Sequence, residues 1–122
     1  MVQDWPELMK AVTADVRQLR AGAPDVMKAF GAMAMAAGAA KALDAKTKEL
    51  IALAIGVSTR CDDCIAFHAK AAVDHGATHD EVMETLGMAI YMGAGPSAMY
   101  ASHALAAFNQ FSAAKAGRDR NP

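Results

Sequence analysis

From Asp4 to Phe111, apolar residues recur every three or four positions between residues that start and stop helices. That period belongs to one face of an α-helix, whereas a half-buried strand alternates every two residues. The pattern points to helix packed on helix. The composition agrees: 54% of the 122 residues are hydrophobic but only 6% are aromatic, so alanine and methionine carry the apolar content. Thin side chains and flexible fillers suit closely packed helices. A β-sandwich draws instead on β-branched and aromatic residues.

The punctuation divides the chain. Asp4 caps a first helix, with Pro6 and Glu7 in its first turn and Gly22 at its end. Pro24 opens a second, with Val26, Met27, Phe30, Met33 and Ala37 as its stripe and Gly38 as terminator. Asp44 caps a third, whose apolar face is Leu50, Leu53, Ala54 and Val57. A fourth begins near Thr59 to Cys61, where Thr59 and Asp62 resemble a capping box, and stops at His75-Gly76. Thr78-His79-Asp80-Glu81 is a capping box for a fifth, lined by Val82, Leu86, Ala89 and Ile90. Gly93 to Ser97 reads as a turn, and Gly95-Pro96 starts a sixth that runs to about Phe111. Lys115 to Pro122 reads as a frayed polar tail. The expectation is one all-α domain over residues 1–122, of about six helices, in which the third and fourth form an antiparallel hairpin.

Several classes of function fall away. A net charge of −1 without a basic cluster gives nucleic-acid binding little support. The apolar run from Ala29 to Ala40 is about half the roughly 20 residues a membrane helix needs. Asp4 and Glu7 stand where a basic leader would begin, so a cytoplasmic location is expected. A domain this small does not hide so much apolar surface alone, and a homo-oligomer is expected, with Met27, Met33, Met92 and Met99 among its contacts.

The chemistry gathers at Cys61, Cys64 and His68, with Glu49 twelve residues before the first cysteine. At roughly 100° per residue, Cys61, Cys64 and His68 fall within roughly 60° on one helical face. Two thiols and an imidazole there can do redox chemistry or hold a metal. The start of a helix, His68 and Arg60 all favour a thiolate, while Asp62 and Asp63 oppose it. If the hairpin turns near Ser58, Glu49 and His68 each lie roughly 13–14 Å from the turn. They are then level, and a carboxylate beside an imidazole fixes its tautomer and strengthens it as a base.

The segment ELIALAIGVSTRCDDCIAFHAKAAVDHGATHDEV, with the later GAGPSAMYASHALAAF, resembles the carboxymuconolactone decarboxylase family in its alkylhydroperoxidase D-like redox branch. The likeness covers about residues 24 to 112 and rests on Glu49, Cys61, Cys64 and His68 at matching spacings. It implies an all-helical fold assembled as trimers or hexamers, and an antioxidant thiol peroxidase or disulfide oxidoreductase. It implies that Cys64 attacks peroxide, Cys61 resolves the product as a disulfide, and Glu49 with His68 relays protons. A dihydrolipoyl or other thiol protein would be the reductant, and no cofactor is implied. The family prototype has a histidine at the place of Asp63 and carries a second, degenerate copy of the helical unit.

The rival reading is a zinc-binding or non-catalytic structural subunit, with Cys61, Cys64, His68 and Glu49 as candidate ligands. Glu49 could instead pair with Lys46 or Lys48 on the helix surface. His103 reads as a packed or interface residue, and His75 and His79 as helix-end residues.

Overall fold

The computed structural model describes residues 2–120. Among them are five helices and no strand: α1 Trp5–Gly22, α2 Pro24–Gly38, α3 Ala45–Ser58, α4 Asp62–Asp74 and α5 His79–Arg120. Helices α3, α4 and α5 pack most extensively on one another. Leu53 and Val57 of α3, Ile65 of α4 and Val82 of α5 are fully buried at the centre. Ala66, Ala69, Ala104 and Ala107 are wholly buried as well, and side chains this small let the helices approach closely. α1 adds Trp5 to the core. The Trp5 backbone N–H donates to Gln110 Oε1 at 2.8 Å, and Gln110 Nε2 donates to the Gln3 carbonyl at 3.0 Å, which fastens the start of α1 to α5.

The caps form largely as the sequence implies. Asp4 accepts from the Glu7 N–H and Asp44 from the Thr47 N–H. Thr78 and Glu81 make the reciprocal box: the Glu81 N–H donates to Thr78 Oγ1 at 3.1 Å and the Thr78 N–H to Glu81 Oε1 at 2.8 Å. Gly76 follows α4 at φ 80°, where a side chain would be strained.

Four expectations change. The fifth and sixth helices are one element, α5, interrupted only at Ala94 (φ 56°, ψ −140°). Gly93 to Ser97 is a kink and not a turn, because Pro96 sits in a first helical turn directly after the break. A Cβ on Gly93 would overlap Ser97, so the glycine makes room for the side chain across the kink. The polar tail is helical to Arg120, with Asn121 and Pro122 outside the described residues. Alanines carry that stretch, and Arg118 and Arg120 suit the negative end of the helix dipole. Ile90 faces outward, and Ala89 takes the buried position.

The fourth change concerns α2. Its stripe finds no core: no α2 side chain is buried, and Val26, Phe30 and Met33 are 69%, 56% and 61% exposed. Lys48 Nζ holds its end by donating to the carbonyls of Ala37 and Ala39 at 2.8 and 2.6 Å. Met92 and Met99 are also exposed, so apolar surface lies open on both α2 and α5.

Candidate redox site

The site is built where α3 hands over to α4. The last turn of α3 closes with two bonds: Arg60 N–H to the Val57 carbonyl at 3.2 Å, and Cys61 N–H to the Gly56 carbonyl at 3.0 Å. This is a Schellman closure, which needs a left-handed residue just past the helix. Arg60 fills that place at φ 57°, where glycine is usual. Thr59 is the C-cap of α3, its hydroxyl donating to the Ile55 carbonyl at 2.9 Å.

Cys61 therefore closes α3 and begins α4 in one residue. It is the N-cap of α4 in place of the expected Thr59, and its Sγ accepts from the Cys64 N–H at 3.2 Å. Cys61 and Cys64 are joined as a disulfide, with Cα atoms 5.2 Å apart, inside the usual range for such bonds. On the α3 side, Gly56 is buried directly against Cys64: a methyl in place of its hydrogen would lie 3.3 Å from Cys64 Cβ.

Glu49 and His68 meet across the hairpin, with Oε2 and Nδ1 2.7 Å apart. Glu49 is 22% exposed and His68 38%, so the pair is sheltered and still reachable from solvent. A carboxylate can only accept, which places the proton on Nδ1 and leaves Nε2 free to take or give one. The surface pairing of Glu49 is not formed. Lys46 Nζ reaches Glu81 Oε2 at 2.8 Å, and Lys48 is spent on α2.

The Lys46 bridge joins the starts of α3 and α5. Lys46, and then the Thr78 N–H, hold the Glu81 carboxyl below its ordinary range. Lys46 is raised in return by Glu81. Asp44 is lowered by its hydrogen bonding to Thr47.

Asp62 and Asp63 are exposed in the first turn of α4, where negative charge is favoured. Asp62 lines a cleft of about 430 Å³ with Gln3, Trp5, Ser102 and His103. Neither cysteine lines this cleft. His103 is exposed, and its ring lies beside Trp5 and Tyr100, with centroids 6.2 and 5.0 Å away. His75 caps α4, and His79 opens α5.

Among the described residues, no three His, Cys, Asp or Glu side chains are arranged to hold a metal ion. Sequence reasoning assigned no role to Gly56 or to the left-handed turn at Arg60. A glycine inside an apolar helical run was the available signal for the first.

The chain matches the model of the carboxymuconolactone decarboxylase family over residues 24–107. An uncharacterized protein of Cupriavidus necator is 40% identical over 113 residues, 93% of this chain and 100% of that one. An uncharacterized protein of Haemophilus influenzae is 41% identical over 109 residues, 89% of this chain and 96% of its own. The crystal structure of an apo carboxymuconolactone decarboxylase family protein from Legionella pneumophila superposes with a TM-score of 0.87 at 47% identity, covering 88% of this chain and 96% of that one.

Proposed function

Because this chain belongs to the carboxymuconolactone decarboxylase family, we propose that it is a thiol peroxidase and disulfide oxidoreductase of the alkylhydroperoxidase D-like branch. The observation that carries the reading is the hairpin that sets a Cys61–Cys64 disulfide one helical turn from His68, itself bonded to Glu49. That combination supplies a two-electron couple and a proton acceptor with a fixed tautomer.

In the proposed cycle His68 Nε2 takes the Cys64 proton. The Cys64 thiolate attacks one peroxide oxygen, the O–O bond breaks, and the alkoxide leaves with the proton returned by His68. Cys64 is then a sulfenic acid. The Cys61 sulfur attacks it, water leaves, and the disulfide forms. A dithiol reductant attacks the Cys64 sulfur, Cys61 departs as thiolate, and the second thiol of the reductant releases Cys64. One peroxide and one dithiol become one alcohol, one water and one disulfide. The Cys64 N–H bonded to Cys61 Sγ supports Cys61 as the leaving group, since it stabilises negative charge on that sulfur.

The reductant is a dihydrolipoyl or comparable dithiol protein, and the compartment is the cytoplasm, where such donors keep the pair cycling. The exposed stripe of α2 supports assembly into a trimer or hexamer.

The test is stoichiometric. Reduced protein given one equivalent of peroxide loses two thiols per chain, and mass spectrometry after alkylation finds the Cys61–Cys64 linked peptide. Dimers bridged between chains, or cysteines oxidised beyond sulfenic acid without a disulfide, would refute the proposal.

A further inference from the structure

We infer that Gly56 is a positioning residue for the redox pair, one that sets how far Cys64 stands from Cys61. Two independent contacts carry this. The Gly56 carbonyl accepts the Cys61 N–H at 3.0 Å, so it anchors the first cysteine. Its missing side chain gives room to the second: a Cβ on Gly56 would stand 3.3 Å from Cys64 Cβ and 3.6 Å from the Ile65 nitrogen. The neighbours at that spot are the root of a side chain and the backbone of a helix, which have little freedom to swing aside. One residue of α3 thus holds one cysteine and limits the approach of the other.

Helix propensity by itself disfavours a glycine at this position. Glycine within a helix is less favourable than alanine, most of all where nothing fills the space. Gly87 in α5, by contrast, has nothing within 4 Å of a would-be Cβ, which makes it a control for propensity alone.

A methyl at position 56 pushes Cys64 outward while the same residue's carbonyl keeps Cys61 in place. The dithiol form accommodates the push, because its sulfurs are not bonded to each other. The disulfide form does not, since bonded cysteines tolerate a narrow range of separations. Gly56→Ala therefore disfavours the oxidised state more than the reduced one. The inference rests on the redox reading only in needing a pair that cycles.

The experiment measures the thiol–disulfide equilibrium of the full chain in glutathione buffers, for the natural sequence, Gly56→Ala and Gly87→Ala. Thermal unfolding of each oxidised and reduced form is followed in parallel. The expected result is a shift toward the dithiol of at least threefold for Gly56→Ala, and no shift for Gly87→Ala. A tenfold shift would correspond to about 30 mV for this two-electron couple. A smaller shift, or equal destabilisation of both forms, overturns the inference. If Gly56→Ala folds only as the dithiol, the inference holds; if it folds in neither form, the inference is overturned, because the dithiol was to accommodate the methyl. A natural-sequence pair that cannot be reduced and reoxidised in the same buffers would instead defeat the proposed function, so the two failures are told apart.

Discussion

Glu49→Gln is the most informative single change to the proposed relay. It keeps the size of the side chain and a hydrogen-bond partner for His68 Nδ1, and removes the charge. At the observed 2.7 Å, and an effective dielectric constant of about 20, a full ion pair is worth about 6 kcal/mol. Both side chains are partly open to water, at 22% and 38%, so screening cuts that figure. A net value of about 1.5–3 kcal/mol is usual for a hydrogen bond to a charged group. In the proposed cycle His68 gains charge as it takes the Cys64 proton, so the loss falls on the rate. It corresponds to oxidation slowed about ten- to a hundredfold. Stopped-flow measurement of thiol loss after peroxide, on reduced protein with an unchanged circular dichroism spectrum, reads it directly. His68→Ala should cost at least as much, and the double variant little more than the worse single one, because members of one relay are not additive. Oxidation rates within twofold of the natural protein for both single variants, from pH 5 to 9, would refute the relay. The reactivity would then come from the helix start alone.

Other outcomes follow from the same structure. Glu81 and Asp44 both titrate lower folded than unfolded, so their contribution to stability is complete above the unfolded values of 4.5 and 3.8. It is lost as pH falls through the lower folded values, so chemical denaturation midpoints should drop below about pH 4.5, and less steeply in Glu81→Gln. Sedimentation should find no folded 12.7 kDa monomer at micromolar concentration, and Phe30→Asp with Met33→Asp should produce one or abolish folding. Leu53→Ala removes a fully buried side chain and should lower unfolding free energy by about 2–5 kcal/mol in urea titrations.

Much of this arrangement was legible in the sequence because it is local. The capping box at Thr78 and Glu81, the caps at Asp4 and Asp44, and the stop at Gly76 each depend on residues three or four apart. The level placement of Glu49 and His68 follows from helix rise once a hairpin is assumed, and the 2.7 Å contact agrees with it. What was illegible depends on tertiary context. Gly93 to Ser97 has the composition of a turn, yet Ser97 settles against Gly93 and the helix resumes. Thr59 has the better capping side chain, but the left-handed turn at Arg60 carries the cap on to Cys61. The stripe on α2 has a helical period, and period alone does not say whether the covering surface lies in the same chain.

Glu49, Cys61, Cys64 and His68 span only twenty residues and lie on one hairpin, α3 and α4. Neither the connection before α3 nor the Gly76-Ala77 connection after α4 falls between any two of them. A circular permutation opened at Ala77, or within Lys41 to Leu43, would therefore leave every bond of the site within one unbroken segment. Its geometry is indifferent to where the chain begins. It requires only that α5 still covers Leu53, Val57 and Ile65, and that is a demand on hydrophobic cover and not on chain order.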